Sequence, residues 1–261
     1  MSSELETRLA HVRAASGEEL KSLVHEAEEE ILLALLENPH VEEPHVRMLL
    51  ARLDLSANVL TAIAGKGKWA ASEGVRMGLA RHPRTPRRIA LAAIRQLYLF
   101  DLVRLSLLPS APGDIRRVAE EMILTRVPHL AVGEKLTLAR RGPARVAGAL
   151  LAEGHPQAVK LALQNSFLTE SQVLKVLANQ GVPARVVAAI AQHSKWSCRY
   201  NVRMALVRNP RTPAPAVLAF LPDLTLRDLA DISKLEGVPP HVRRYIEQER
   251  SRRGHPPGER A

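Results

Sequence analysis

The chain has 261 residues, of which 46% are apolar and 3% aromatic, and it carries a formal net charge of +10 at pH 7. This composition is typical of a folded protein whose helices pack through small and aliphatic side chains, and it excludes global disorder. The single cysteine, Cys198, excludes a disulfide framework within the chain and a cysteine-ligated zinc or iron–sulfur site.

The N-terminal segment is acidic. Residues 1–50 contain 11 acidic and 4 basic residues, whereas the other residues contain 16 acidic and 33 basic ones. We interpret residues 1–30 as an acidic helical cap, and the basic remainder as either a solvated surface or a face that meets an anionic partner. No apolar run has the length of a signal-peptide core or the roughly 20 residues that span a bilayer, so we expect a cytoplasmic protein without membrane insertion.

An internal repeat follows. The stretch "VRMGLARHPRTP" at 75–86 returns as "VRMALVRNPRTP" at 202–213, so that Val75 corresponds to Val202. The same offset aligns the chain without a gap from about Leu36 to Glu120, which indicates an internal duplication. The predicted organisation is a first half at 31–121, connecting helical repeats at 122–161, a second half at 162–248 and a basic disordered tail at 249–261.

Within each half, a shorter sequence period is visible. Apolar segments of about 8–14 residues alternate with breakers such as "ENPHVEEP" and "EGVPPH". Helices of this length are marginal alone and must be stabilised by their neighbours. The pattern therefore predicts an all-α fold, an α-solenoid of about 15–17 short stacked helices.

The duplicated motif contains a corner between two helices. His82 and Asn209 precede proline, and a residue before proline is pushed out of the α region, so each preceding helix is predicted to end there. Thr85 and Thr212 are predicted to cap the next helix, with the proline that follows at the first helical position.

These two stretches, "VRMGLARHPRTPRRIALAAI" and "VRMALVRNPRTPAPAVLAFL", resemble the leucine-rich repeat variant, whose pattern is V-R-x-x-L-A-x-N-P-x-T-P followed by an apolar helix. That family looks like HEAT repeats, and the resemblance implies a right-handed superhelix of α-helices and short α- or 3₁₀-helices. One founding member carries an iron–sulfur cluster on clustered cysteines. Those cysteines are absent here, so no cofactor is expected.

The candidate binding residues come from a helix predicted from about Lys68 to Arg81. At 100° per residue, Trp69 and Arg76 share a side away from a buried stripe that includes Ala71. The two tryptophans either fill gaps between repeats or form an aromatic and cationic strip that binds a partner, and the corner arginines beside helix N-termini can bind anions. The candidates are Lys68, Trp69, Arg76, Arg81, Arg84, Lys195, Trp196, Tyr200, Arg203, Arg208 and Arg211.

Other chemistry-bearing residues have structural interpretations. Cys198 aligns with Ala71 on the inward stripe, which predicts a buried, inert thiol. Asp101 and Asp228 are duplicated and predicted to serve as caps, because Thr225 and Asp228 have capping-box spacing. The ten histidines are scattered and no nucleotide-binding or hydrolase motif occurs, so no metal site is expected.

The function expected from this pattern is a non-catalytic scaffold that binds a protein partner on its concave face, by analogy with other α-solenoids. The alternative is a nucleic-acid binder that uses a basic Arg/Trp strip and tail to contact phosphates. A minor alternative is a HEAT-like DNA glycosylase for alkylated bases, which would need Trp, Asp and Arg on one face. Here Glu73 and Tyr200 stand where that Asp would be.

Overall fold

The computed structural model describes residues 2–235 and 238–254. These residues form 20 α-helices and two 3₁₀ turns without a β-strand, so the all-α prediction is confirmed for them. The helices outnumber the predicted 15–17 because short turns divide segments that the sequence pattern treats as continuous. Residues 255–261, the end of the predicted basic tail, lie outside the described residues.

The chain divides into two compact units, Met1–Arg126 and Val127–Ala261. The boundary lies inside the segment 122–161 that the sequence assigned to connecting repeats. The first unit has 17 basic and 17 acidic residues, whereas the second has 20 basic and 10 acidic residues. The positive excess of the chain therefore belongs to the second unit.

The first unit is built in two layers. Its helices are α1 (Ser2–Ala14), α2 (Glu18–Leu23), α3 (Glu29–Glu37), α4 (Glu43–Leu49), α5 (Ala57–Gly65), α6 (Gly67–Ala70), α7 (Glu73–Arg81), α8 (Arg87–Arg95), α9 (Leu99–Leu107) and α10 (Gly113–Arg126). Helix α3 packs on α1 and α5, which form the first layer, and α8 packs on α10. Helix α7 packs on α4 and α9, which form the second layer.

The second unit has the same two layers. Its helices are α11 (Val132–Arg141), α12 (Ala144–Glu153), α13 (Pro156–Gln164), α14 (Glu170–Ala178), α15 (Ala184–Gln192), α16 (Ser194–Ser197), α17 (Tyr200–Arg208), α18 (Ala214–Phe220), α19 (Leu226–Lys234) and α20 (Pro240–Gly254). Helix α13 packs on α11 and α15 in the first layer, and α18 packs on α20. Helix α14 packs on α12 and α17 in the second layer.

Helix starts correspond between the units. Helix α5 begins at Ala57 and α15 at Ala184, while α7 begins at Glu73 and α17 at Tyr200. Every helix from α3 to α10 has a counterpart from α13 to α20 that begins at the offset relating Val75 to Val202. The offset found in the sequence thus recurs in the placement of the helices.

Two buried asparagines bond to backbone carbonyls at the end of an earlier helix. Asn38 follows α3, and its Nδ2 donates to the carbonyls of Val12 and Ala15, both at 2.8 Å. Asn165 follows α13 and donates to two carbonyls at the end of α11, at 2.9 and 3.0 Å. These bonds satisfy carbonyls that have no partner within their own helix, because a helix leaves its last four carbonyls free.

The corner motif ends its helices as predicted but does not cap the next ones. His82 and Asn209 are extended residues directly after α7 and α17. The prolines after the two threonines occupy the N-cap positions, so the threonine hydroxyls lie too far upstream to reach the first helical amides. Thr212 Oγ1 instead donates back to the carbonyl of Leu206 at 2.6 Å, and Thr85 Oγ1 has no partner among the described residues. The prediction of threonine N-caps is wrong.

The C-terminal helix extends into the predicted tail. Helix α20 includes residues 249–254, which the sequence assigned to a disordered segment. Val242 and Ile246 bury its inner side, and Arg253 donates to two carbonyls at and after the 3₁₀ turn Leu221–Asp223, at 2.5 and 2.7 Å. These contacts hold the helix beyond the point where its apolar periodicity ends.

Candidate functional site

The two tryptophans are buried. Trp69 is 4% exposed and Trp196 is 1% exposed. Trp196 Nε1 donates to the carbonyl of Leu163 in α13 at 2.9 Å, and the Lys195 ammonium lies 4.6 Å from the centre of the indole. Of the two interpretations that the sequence leaves open, packing between repeats therefore describes both indoles, and the surface strip has no tryptophan.

The predicted helix of residues 68–81 is two helices. A break at Ala71 and Ser72 separates α6 from α7, because Ser72 Oγ accepts the Val75 N–H at 3.2 Å and caps α7. Trp69 and Arg76 therefore do not lie on one helix, and a single helical wheel does not describe their directions.

The matching break in the second unit exposes Cys198. This residue lies between α16 and α17, and its Sγ donates to the carbonyl of Lys195 at 3.4 Å. Ala71, its counterpart, is exposed as well. The prediction of a buried thiol is wrong, because residues at the break face solvent and leave the stripe of α17.

Four of the predicted cations donate to backbone carbonyls of the preceding repeat. Lys68 Nζ bonds to two carbonyls between α3 and α4, at 3.0 and 2.8 Å, and Lys195 Nζ bonds to one between α13 and α14 at 3.4 Å. Arg84 bonds to a carbonyl between α4 and α5 at 2.9 Å, and Arg211 bonds to two between α14 and α15. These four side chains stabilise the stacking of repeats.

Two more candidates are engaged within the second unit. Arg203 Nη1 lies 2.7 Å from Asp223 Oδ2, and its Nε donates to the last carbonyl of α16 at 2.6 Å. The hydroxyl of Tyr200 donates to Asp228 Oδ2. Arg76, the counterpart of Arg203, is half-buried on α7.

The remaining candidates, Arg81 and Arg208, line two clefts at matching positions in the second layer. The first cleft lies between α4 and α7 and has a volume of about 660 Å³. The second lies between α14 and α17 and has a volume of about 780 Å³. Met77 and Met204 occupy corresponding places in their linings. Both volumes fall within the roughly 300–1,000 Å³ of protein pockets that bind small ligands.

Charges of both signs line the cleft of the first unit. The acidic lining residues are Glu43, Glu73 and Asp101, and the basic ones are Arg47, Arg81 and Arg104. Arg104 Nη1 lies 3.4 Å from Asp101 Oδ1. The formal charges of this lining cancel within the cleft.

Glu73 and Asp101 interact in this lining. A hydrogen bond between their carboxyl groups, together with the negative charge of Asp101, raises the pKa of Glu73 above its ordinary value of 4.5. Arg104 and Arg76 oppose this shift. Asp101 is 7% exposed, and a buried carboxylate needs such a donor.

In the second unit, hydroxyl groups donate to Asp228, the counterpart of Asp101. Thr225 Oγ1 donates to Asp228 Oδ2 at 2.6 Å and Tyr200 donates to the same oxygen, and these bonds lower the pKa of Asp228. Thr225 Oγ1 also accepts the Asp228 N–H at 3.1 Å, so Thr225 caps α19. The Thr225 N–H donates to the hydroxyl of Tyr200 at 3.2 Å and not to Asp228, so the predicted capping role of the Asp228 side chain is wrong. At Asp101 the corresponding N-cap is Tyr98, which makes no side-chain cap bond.

The raised pKa of Glu73 predicts that the stability of the first unit depends on pH. The raised pKa of Glu73 means that its stabilising contribution is present below pH 4.5 and is lost as the pH rises through the folded-state pKa. Glu73→Gln keeps a donor toward Asp101 at every pH. We therefore expect its melting temperature to match that of the wild type near pH 4 and to exceed it increasingly toward pH 8.

Thermal melts of wild type and variant across this pH range measure the effect. Glu43→Gln is the control, because Glu43 lines the same cleft without a hydrogen bond to Asp101. A constant difference between the Glu73→Gln and wild-type melting temperatures at all pH values would contradict the hydrogen bond between Glu73 and Asp101.

The cleft of the second unit is mostly apolar. Its floor comes from Leu174, Leu177, Met204 and Ala205. Arg208 stands at its edge, and Nη2 of this residue lies 3.5 Å from the Sδ of Met204. Within the part of the chain that the structure describes, none of the residues lining this cleft is acidic.

Sequence reasoning missed several lining residues, including Glu43, Arg47, Leu174 and Asn201. The internal duplication could have pointed to some of them. Its offset pairs Arg47 with Leu174, and these two residues occupy equivalent places in the two clefts. Helical periodicity can indicate the buried side of a single helix. It could not show which solvent-facing positions of neighbouring helices come together.

Comparisons with protein-family models, with curated proteins and with solved structures give no match. Among residues 2–235 and 238–254, no group of three or more histidine, cysteine or carboxylate side chains is placed to hold a metal ion. In the same part of the chain, no helix combines the length and apolar character needed to cross a bilayer.

Proposed function

We propose that the chain is a non-catalytic scaffold that binds another protein through the second layer of its helices. In this proposal each unit is a right-handed α-solenoid of the leucine-rich-repeat-variant type, and the second layer is its concave face. The protein acts in the cytoplasm and needs no cofactor.

A duplicated solenoid is supported by two observations. The helices from α3 to α10 and those from α13 to α20 start at one constant offset. The same offset relates the carbonyls bound by Asn38, those of Val12 and Ala15, to the carbonyls bound by Asn165. Side chains that bond to the preceding turn, repeat after repeat, are what a stack of helical repeats requires.

The observation that carries the binding proposal is the pair of clefts. Repeats need bonds between turns to stack, but stacking does not require a cleft of about 660 or 780 Å³ on one layer. Met48 on α4, in the second layer of the first unit, is an exposed apolar side chain. Concave surfaces with apolar floors and charged edges are the usual binding surfaces of proteins and ligands.

Site-specific photo-cross-linking in cells tests this proposal. A photoreactive residue is placed at Met48 or Lys175 in the second layer, and at Thr61 or Lys160 in the first layer as matched controls, all four being exposed. We expect a discrete protein adduct from the second-layer positions and none from the controls. Adducts from the first-layer positions alone, or none from any position, would contradict the scaffold proposal.

Nucleic-acid binding is the second candidate, and the excess of 20 basic over 10 acidic residues in the second unit favours it. The burial of both tryptophans removes the stacking part of this hypothesis. Affinity would then depend on phosphate contacts and fall steeply with salt. Anisotropy titrations of labelled single- and double-stranded DNA and RNA decide it, because an absence of binding at low salt excludes this candidate.

A further inference from the structure

We propose that the cleft between α14 and α17 binds a short acidic segment of the partner protein, with an apolar side chain in the cleft and a neighbouring carboxylate on Arg208. This inference rests on the proposed scaffold function and names the chemistry of its partner. It concerns the second unit only.

The floor of the cleft supplies the apolar half of the recognition. Leu174 and Leu177 from α14 face Met204 and Ala205 from α17. Leu174, Met204 and Ala205 are half-buried, so they keep apolar surface that a ligand can cover. Burial of an aliphatic or aromatic side chain here gains hydrophobic free energy, and the thioether of Met204 adapts to its shape.

Arg208 supplies the charged half. Its guanidinium is exposed, and the contact that holds it near the cleft is the 3.5 Å approach of Nη2 to the sulfur of Met204. No carboxylate lies within salt-bridge distance of Arg208 among the described residues. A guanidinium at the edge of an apolar cleft can therefore pair with a carboxylate of the ligand in a charge-assisted bond.

The carboxylates nearest to this cleft are already engaged. Glu170, the counterpart of Glu43, accepts bonds from Arg199 at 2.8 Å and from Asn201 at 2.9 Å, which lower its pKa. Asp228 accepts bonds from Thr225 and Tyr200, as described above. The charge of Arg208 also lowers the pKa of Asp228, but Arg208 forms no salt bridge among the described residues. Its guanidinium can therefore still bond to a carboxylate of the ligand, in a unit that is itself positive.

The first unit provides the contrast. At the place of Leu174 it has Arg47, and its lining also contains three carboxylates and two further arginines. An apolar side chain would have to desolvate these charges, which is costly. The duplicated position therefore distinguishes a cleft that can take an acidic, apolar peptide from one that cannot.

Peptide selection tests the inference. A phage-displayed library of random dodecapeptides is selected on the purified full chain, and the enriched sequences are made as fluorescent peptides for anisotropy titration. We expect enriched peptides with an aliphatic or aromatic residue close to Asp or Glu. Leu174→Arg, which installs the residue of the first unit, and Arg208→Glu should each weaken binding by about tenfold to a hundredfold.

The first unit supplies matched controls, since Arg47→Leu and Arg81→Glu change the equivalent positions and should leave the affinity unchanged. Circular dichroism and melting temperature check that each variant folds. If Leu174→Arg does not fold, Arg208→Glu carries the test, because it changes an exposed side chain.

Three results would overturn the inference: enrichment of basic peptides, affinity that Arg208→Glu leaves unchanged, or no enrichment of any peptide. None of these bears on the scaffold proposal, which the photo-cross-linking experiment decides by itself. If labelled nucleic acid is the only ligand that binds and Arg208→Glu weakens it, the positive edge serves phosphates and the peptide inference is wrong.

Discussion

Replacing Trp196 by alanine is expected to lower the free energy of unfolding of the second unit by about 3–5 kcal/mol. Its indole is 1% exposed and fills the space between repeats, where a cavity would remain. The variant also loses the bond from Nε1 to the carbonyl of Leu163. Chemical denaturation followed by circular dichroism measures the change, and Phe167→Ala is the control, because that aromatic ring is 46% exposed.

Trp69, the counterpart of Trp196, allows the contribution of the indole hydrogen bond to be measured. Trp69 is also buried, but its Nε1 has no hydrogen-bond partner among the described residues. A phenylalanine keeps most of the ring and removes the N–H. We therefore expect Trp196→Phe to cost more than Trp69→Phe, by about 1 kcal/mol, the net contribution of one hydrogen bond. If Trp196→Ala costs less than about 1 kcal/mol, the indole is not a packing element and a binding role returns.

Replacing Asn165 by alanine is expected to cost about 2–4 kcal/mol. Asn165 is 1% exposed, and its side chain bonds to two carbonyls at the end of α11 and accepts the N–H of Phe167 at 2.8 Å. Alanine leaves these buried groups without partners, at about 1–3 kcal/mol for each unsatisfied group. Urea unfolding of the two proteins measures the difference.

Asn179 is a control of the same residue type at the same kind of position. It follows α14 as Asn165 follows α13, but it is exposed, and its Oδ1 accepts the N–H of Gly181 at 2.9 Å. Asn179→Ala should cost about 1 kcal/mol or less. Asn38→Ala should reproduce the large effect in the first unit. Equal costs for Asn165→Ala and Asn179→Ala would show that bonds between repeats do not stabilise the stack.

The sequence by itself determined the secondary structure class and the helix ends at the two corners. Short apolar segments divided by proline predict short stacked helices, and helix ends at His82 and Asn209 follow from the steric effect of the next residue. The capping role of Thr225 was also readable from its spacing to Asp228. These features depend on residues a few positions apart, where local rules apply.

The tertiary structure decided what the side chains do. Trp196 donates to the carbonyl of Leu163, and Arg84 donates to a carbonyl in the turn after α4. The bonded residues are 33 and 30 positions apart in the chain. Helical periodicity carries no information about partners at that distance. For this reason the sequence could not tell a binding arginine from one that holds a turn.

The difference between the two clefts is also tertiary. The sequence shows that Leu174 replaces Arg47 and that Tyr200 replaces Glu73, but both are solvent-side positions on which local pattern sets no condition. Only the packing of α14 against α17 brings Leu174 into one surface with Met204 and Arg208, because a cleft needs side chains from two helices. Two copies of one sequence pattern thereby acquire a cleft lined by charges of both signs in the first unit and an apolar cleft with an exposed arginine at its edge in the second.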